Sequence, residues 1–233
     1  MIRKYSHIFF DLDRTLWDYD ANATLTLYDL IDRYKLTNGY SIDNQTFIKE
    51  FLDVNDDLWA RFDEGRIDKE FIRVNRFQMV LKRLGLNKFE DFENLQDDFI
   101  NECPTKGLLI DGAENIIRQL AQEYTLYIIT NGFDGIQHSK LSHSGLEDYF
   151  EEIITSERAR VQKPNPLIFE YALKIANVEK SRSIMVGDNF DSDIKGAHSA
   201  GIDQVYYNPA NKKNGFNPTF EITHLDQLAN ILL

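Results

Sequence analysis

The chain has 233 residues, 42% of them hydrophobic, which suffices for one large domain or for a core domain with a smaller one. Its formal net charge of −12 makes it a poor binder of nucleic-acid polymers and of anionic membranes, because both require clustered positive charge. The single cysteine, Cys103, excludes an intramolecular disulfide, and without a long apolar run we expect a cytoplasmic protein.

Short apolar runs alternate with amphipathic stretches along much of the chain. The first run, His7 to Phe10, reads as a strand buried on both faces and ends directly at Asp11. Comparable runs follow at Leu126 to Thr130, Ile153 to Thr155, Ser183 to Val186 and Gln204 to Tyr207. Helical patterns lie between the later runs, at Ala113 to Glu123, Pro166 to Ala176 and Asp193 to Ala200. This alternation predicts an α/β fold with a doubly wound parallel sheet.

One interval breaks the alternation, because the stretch between the first run and the strand ending at Thr130 is far longer than one crossover helix needs. It contains two apolar stripes at helical spacing. They are Phe47, Phe51, Val54, Leu58 and Phe62, then Phe71, Val74, Phe77, Leu81 and Leu84. We therefore predict a core domain of residues 1–16 and 104–233, with a helical cap of residues 17–103 whose stripes pack between helices.

Two aspartates, Asp11 and Asp13, follow the first strand directly. Residues two apart in an extended segment point the same way, so both carboxylates should face one site. The carboxyl ends of parallel strands are where α/β sheets bind ligands. The spacing alone is weak, since it recurs at Asp18 and Asp20, but charges at the end of a buried strand need partners.

Polar clusters also follow two later strands. Thr130, Asn131 and Gly132 offer a hydroxyl, an amide and an approachable N–H to a phosphate, although Asn-Gly is also an ordinary turn. Lys163 lies just ahead of the helix that starts at Pro166. A positive charge beside the N–H groups of a helix N-terminus favours the binding of a phosphate. Each cluster by itself has a plain structural alternative.

Three carboxylates, those of Asp188, Asp191 and Asp193, crowd the end of the run Ser183 to Val186. Together with the two aspartates of the first strand they would repel one another unless a cation neutralised them or some were protonated. Oxygen ligands without histidine or cysteine favour Mg²⁺ over zinc.

These clusters, taken in order, resemble the motifs of the haloacid-dehalogenase-like superfamily. The four motifs are Asp11-x-Asp13-x-Thr15, Thr130, Lys163 and Gly187-Asp188-x-x-x-x-Asp193. The resemblance covers essentially the whole chain and implies a Rossmann-like, three-layer α/β/α core with a parallel sheet, plus an inserted α-helical cap. Finer similarity to pyrimidine 5′-nucleotidases lies in Leu16-Trp17-Asp18, Gln162-Lys163-Pro164-Asn165-Pro166, Ser192-Asp193-Ile194-Lys195-Gly196 and Asn208-Pro209. Arg14 departs from the small or acidic residue usual there.

The resemblance also implies catalytic roles. Asp11 would be the nucleophile that forms an aspartyl-phosphate, and Asp13 would be the general acid and base. Mg²⁺ would be held by Asp11, by the main-chain carbonyl of Asp13 and by Asp188. Asp193 would steady the waters and outer partners of the metal and would also hold Lys163.

The same resemblance makes Thr130, Asn131 and Lys163 the binders of the substrate phosphate. The implied function is a Mg²⁺-dependent phosphomonoester hydrolase for a small phosphorylated metabolite, most of all a nucleoside 5′-monophosphate with a pyrimidine base. A sugar-phosphate or phosphoglycolate phosphatase and a phosphomutase of the same fold stay open. A haloacid dehalogenase would need neither Asp13 nor a metal, and a non-catalytic binding protein would be expected to have lost a motif residue.

Overall fold

The computed structural model describes residues 4–38, 42–86, 92–213 and 215–233. The chain divides into two compact units, Met1–Asp18 with Gly107–Leu233 and Tyr19–Lys106, here called the core unit and the helical unit. The sequence predicts these boundaries after residues 16 and 103. Residues 39–41 and 87–91 of the predicted cap lie outside the described residues.

Strands and helices alternate in the core unit, whereas the described residues of the helical unit form helices and connecting turns. The strands are β1 (His7–Phe10), β2 (Thr125–Thr130), β3 (Phe150–Thr155), β4 (Ser183–Gly187), β5 (Asp203–Tyr207) and β6 (Phe220–Ile222). The helices are α1 (Tyr19–Tyr34), α2 (Asn44–Asp63), α3 (Lys69–Arg83), α4 (Phe92–Glu102), α5 (Ala113–Leu120), α6 (Asp134–His143), α7 (Ser156–Ala159), α8 (Pro166–Ala176), α9 (Gly196–Ala200) and α10 (Leu228–Leu232). Among the helices of the described ranges, none has the length and apolar character needed to cross a membrane.

The six strands form one parallel sheet in the order β3-β2-β1-β4-β5-β6. In this register His7 of β1 lies beside Thr125 on one side and Ser183 on the other. The predicted α/β fold is confirmed, although the short edge strand β6 was not predicted. The strand order reverses between β1 and β4, and ligands of such sheets bind outside the carboxyl ends of the strands at that reversal.

One face of the sheet packs against α8 and α9. Phe9, Ile129 and Met185 come from three neighbouring strands and share a buried cluster with Phe169 of α8 and Ala197 of α9. Because side chains alternate along a strand, the residues before and after each of these three point to the other face of the sheet. Burying each large apolar side chain contributes roughly 1.5–3 kcal/mol to the stability of the fold. This packing supports β1 and β4, whose carboxyl ends carry the aspartates.

The helical unit confirms one predicted stripe and corrects the other. The stripe of α2 is buried from Phe47 to Phe62. On α3, Phe71 and Val74 are 39% and 49% exposed, so their assignment to the core was wrong. The buried face of α3 consists of Ile72, Arg76, Phe77, Val80 and Leu81.

Arg76 explains the shifted face of α3. Its guanidinium carbon lies 5.2 Å from the ring centroid of Phe51 and 4.7 Å from that of Phe99, and its Nη1 donates to Oδ1 of Asn55 at 3.1 Å. Aromatic faces attract a cation most when water is excluded. A hydropathy pattern assigns arginine to the surface, so a stripe drawn from apolar residues alone leaves Arg76 out of the buried face.

Candidate active site

The carboxyl ends of β1 and β4 bring Asp11 and Asp188 together. The N–H of Asp11 donates to the carbonyl of Val186 at 2.9 Å, which extends the pairing of the two strands. The hydroxyl of Thr15 lies 3.0 Å from Oδ1 of Asp188 and 3.3 Å from Oδ2 of Asp11. The same hydroxyl accepts the N–H of Asp188 at 3.1 Å. Thr15 is fully buried and therefore ties the two strand ends to each other.

Lys163 links these strand ends to β2. Its Nζ donates to Oδ1 of Asp11 at 2.6 Å, to Oδ1 of Asp193 at 2.6 Å and to the carbonyl of Ile129 at 2.8 Å. An ammonium group has three hydrogens, so these three acceptors satisfy it. Lys163 is 2% exposed, and its bonds hold the carboxylate of Asp11 in one orientation.

Asp193 reaches the cluster from a π-helical turn, Phe190–Lys195, that leads into α9. Helical backbone therefore begins at Phe190 rather than at Asp193, where the sequence analysis placed it. Oδ1 of Asn189 accepts the N–H groups of Asp191 and Ser192 at 3.1 and 3.0 Å and so begins the turn. The N–H of Asn189 donates to Oδ2 of Asp193 at 3.0 Å, which orients that carboxylate.

The electrostatics of the cluster reflect its burial. Burial raises the pKa of Asp11 well above its usual range; Lys163 opposes the rise, and the carboxylates of Asp193 and Asp188 add to it. Burial and then repulsion from Asp193 raise the pKa of Asp188 to about 7. Burial alone would lower the pKa of Lys163, but its attraction to Asp11 and Asp193 outweighs burial and raises it.

The donors of this cluster fit a hard divalent cation. Asp11, Asp188 and Asp193 offer carboxylate oxygens that all lie within 4.8 Å of one another. With all three ionised, these carboxylates would outnumber the ammonium of Lys163, which bonds two of them, so a bound cation would be needed to keep them charged. An all-oxygen donor set with surplus negative charge is the kind that Mg²⁺ prefers.

Thr130 ends β2, and Asn131 follows it and contacts Lys163. Oγ1 of Thr130 accepts the N–H of Gly132 at 2.9 Å. Nδ2 of Asn131 donates to the carbonyl of Lys163 at 3.0 Å, and its Oδ1 accepts the N–H of Lys163 at 2.9 Å. The structure thus brings the three predicted phosphate binders together, with the amide of Asn131 bonded to the main chain of Lys163.

The backbone of Arg14 forms the turn that follows β1. Arg14 has a φ of 64°, and its N–H donates to the carbonyl of Trp17 at 2.8 Å. This left-handed residue reverses the chain directly after Asp13. Trp17 is fully buried beneath that turn, and the side chain of Asp13 stays partly exposed at its edge.

Sequence reasoning missed one further charged residue, Lys140 in α6. Its Nζ donates to Oδ1 and Oδ2 of Asp13 at 2.6 and 2.8 Å and lies 4.6 Å from the ring centroid of Trp17. Lys140 is buried together with Gln137 and Leu141. These three positions have the spacing of one helix face, and a lysine on such a face requires a partner. Nothing in the hydropathy of α6 signals this burial, because two of the three residues are polar and Asp13 is 127 positions away in sequence.

The chain resembles known hydrolases over almost its whole length. The family model described as haloacid dehalogenase-like hydrolase matches residues 5–201. The HAD-hydrolase YfnB of Bacillus subtilis is 33% identical over 99% of this chain and 97% of its own. A crystal structure of YfnB bound to magnesium superimposes with a TM-score of 0.87 at 32% identity, covering 99% of each chain.

Two further relatives are similar over comparable lengths. The pyrimidine 5′-nucleotidase PynA of Streptococcus pneumoniae is 31% identical over 98% of this chain and 95% of its own. The pyrimidine 5′-nucleotidase YjjG of Escherichia coli is 32% identical over 98% of each chain. All three relatives therefore match both the core unit and the helical unit.

Proposed function

Because the chain belongs to the haloacid dehalogenase-like hydrolases, we propose that it is a Mg²⁺-dependent phosphomonoester hydrolase that acts on pyrimidine nucleoside 5′-monophosphates. The observation that carries the proposal is the buried carboxylate of Asp11, held by Lys163 at 2.6 Å among two further carboxylates. A carboxylate nucleophile surrounded by other carboxylates requires a cation to offset their negative charge. A carboxylate and a bound cation together are suited to the transfer of a phosphoryl group. A dehalogenase would need neither the metal nor Asp13.

Two aspartates carry the reaction in this proposal. Asp11 attacks phosphorus and forms an aspartyl-phosphate, while Asp13 gives a proton to the leaving alkoxide. Asp13 then takes a proton from the water that attacks the phosphoryl group, and this step releases phosphate and restores the carboxylate of Asp11. The hydroxyl of Thr130 binds one phosphoryl oxygen, and Lys163 binds another when the substrate replaces one of the three acceptors of its ammonium group. Asn131 acts by holding the main chain of Lys163, since its amide is bonded there.

The proposed metal ligands are those that the resemblance to the family implies. The carboxylates of Asp11 and Asp188 and the main-chain carbonyl of Asp13 would hold Mg²⁺. The ion would neutralise the surplus negative charge, so that an anionic carboxylate can approach an anionic phosphate. We place Asp193 outside direct contact, as the resemblance implies, where its oxygens accept from Lys163 and from the N–H of Asn189.

The choice of a pyrimidine nucleotide rests on the relatives PynA and YjjG, which are named for that activity. We assign the selection of the leaving group to the helical unit, in keeping with its predicted role as a cap. A small phosphorylated metabolite, rather than a polymer, is consistent with the net charge of −12.

The test is a measurement of phosphate release with Mg²⁺ over dUMP, UMP, dTMP, glucose phosphates and phosphoglycolate. We expect kcat/KM on the pyrimidine nucleotides to exceed the rest by at least about tenfold, or roughly 1.4 kcal/mol in transition-state binding. If sugar phosphates or phosphoglycolate gave the highest values, the nucleotidase assignment would fail while the phosphatase stood. If phosphate moved to another position of the substrate and none reached water, the enzyme would be a mutase.

A further inference from the structure

Lys140 makes a contact that the mechanism proposed above does not use. Its ammonium group bonds both carboxylate oxygens of Asp13, at 2.6 and 2.8 Å. We propose that Lys140 is a positioning residue that holds the carboxylate of Asp13 in the orientation required for proton transfer to the leaving group. The inference rests on the proposed function, because it presumes that Asp13 is the general acid.

The environment of Lys140 differs from that of a surface ion pair. Its side chain is 7% exposed and that of Asp13 is 29% exposed. Its Nζ lies 4.6 Å from the ring centroid of Trp17, which is fully buried. Removing an ammonium from water is expensive unless a well-placed anion and further contacts compensate, so this pair has a defined geometry.

The backbone alone does not orient the acid. The turn closed by the N–H of Arg14 and the carbonyl of Trp17 places the Cα of Asp13, but the side-chain torsions of Asp13 stay free to rotate. Within the described part of the chain, the bonds from Lys140 are what fix those torsions. Proton transfer is sensitive to orientation, so a freely rotating carboxyl group would spend less time in reach of the leaving oxygen.

The two aspartates thus have a lysine each. Lys163 bonds one oxygen of Asp11, the proposed nucleophile. Lys140 bonds both oxygens of Asp13, and when one of them carries a proton the other still accepts from the ammonium. Separate cations keep the two carboxylates in separate orientations, as their different roles require.

The test compares substrates whose leaving groups need a proton with one whose leaving group does not. An alkyl phosphate such as UMP leaves as a basic alkoxide, whereas p-nitrophenyl phosphate leaves as a stable phenolate. In Lys140→Met we expect kcat/KM on the best alkyl phosphate to fall by about 10–100-fold, part of the ~10²–10⁴ typical of general acid catalysis. On p-nitrophenyl phosphate we expect a fall of less than about threefold. The parameter kcat/KM covers the steps up to the phosphoenzyme, so the later role of Asp13 does not enter.

The readout is the ratio of the two kcat/KM values within one preparation, which does not depend on the fraction of folded protein. Lys4→Met is the matched control, since Lys4 has a carboxylate partner, Asp203, at 2.6 Å and an aromatic ring, that of Tyr5, at 5.0 Å, but precedes β1 at the opposite end of the sheet. It should leave the ratio unchanged. If Lys140→Met does not fold, Lys140→Gln serves for the same measurement.

A double-variant cycle separates positioning from a structural role. Asp13→Asn should shift the ratio in the same direction, and adding Lys140→Met to it should change the ratio by less than about twofold. An unchanged ratio in Lys140→Met, or an equal fall on both substrates, would overturn the inference while leaving the phosphatase intact. A wild-type protein that hydrolyses neither substrate would overturn the proposed function and the inference with it.

Discussion

The side chain of Asn131 and the main chain of Lys163 exchange two hydrogen bonds. Nδ2 of Asn131 donates to the carbonyl of Lys163 at 3.0 Å, and the N–H of Lys163 donates to Oδ1 of Asn131 at 2.9 Å. The end of β2 is thereby fixed to the loop before α8. Lys163 can place its ammonium group between Asp11 and Asp193 because its backbone is held in this way.

Asn131→Ala removes both of these bonds. We expect the free energy of unfolding to fall by about 1–3 kcal/mol, because buried groups of the Lys163 main chain lose their partners. Phosphate release should fall by about tenfold or more, since a small displacement of a positioning group is costly. Asn115→Ala, at an exposed position of α5, is the control for truncating an asparagine. Unchanged activity in Asn131→Ala would remove Asn131 from the site.

Gly187→Ala tests how closely β4 approaches Asp193. A Cβ at Gly187 would lie 2.6 Å from Cγ of Asp193, so that carboxylate, which bonds Lys163, must shift. We expect a loss of about 1–3 kcal/mol in stability together with a large fall in activity. Gly135→Ala is the matched control, because a Cβ there meets no atom within 4 Å and alanine favours α6. Equal behaviour of the two variants would contradict the proposed packing.

Lys163→Met leaves two buried carboxylates without their cation. Removing one partner of a buried ion pair costs about 3–5 kcal/mol, so urea unfolding should show a loss of that order. Lys4→Met breaks an exposed pair of equal length, with Asp203, and should cost far less. A loss in Lys163→Met as small as that of the control would mean that the cluster adjusts without its lysine.

Metal binding can be measured without an activity assay. Mg²⁺ at about 100 times its dissociation constant should stabilise the folded wild-type protein by about 2.7 kcal/mol, seen as a higher midpoint of thermal unfolding. Asp188→Asn should abolish that shift, because it removes a proposed ligand together with its negative charge. Asp191→Asn, an exposed carboxylate of the neighbouring turn, should retain it. A shift that EDTA does not reverse, or that Asp188→Asn retains, would contradict the assigned ligands.

The sheet and the motif clusters could be predicted from sequence because they depend on local contrast. A buried apolar run that ends in a charge, as β1 ends at Asp11, stands out whatever the rest of the chain does. The fold and the family are confirmed by the strand order and by the match over residues 5–201. The roles of Asp11, Asp13, Thr130 and Lys163 stay predictions until variants are measured.

Two buried cations could not be predicted in the same way. Lys140 is buried through a bond to Asp13, 127 positions away in sequence, and Arg76 is buried between the rings of Phe51 and Phe99. Hydropathy assigns both cations to solvent, because their burial depends on partners that tertiary structure supplies. The omission of Arg76 from the predicted core of α3 and the omission of Lys140 therefore have one physical origin.

The central claim is that Asp11 takes the phosphoryl group, and Asp11→Asn tests it most directly. Phosphate release from the best substrate, measured with Mg²⁺, should fall by ~10⁴-fold or more, since an amide is not a useful nucleophile. Circular dichroism should show the same fold as the wild type. Asp20→Asn, at an exposed position of α1, should retain full activity and exclude an effect of the preparation. More than a trace of Mg²⁺-dependent activity in pure Asp11→Asn would contradict the account.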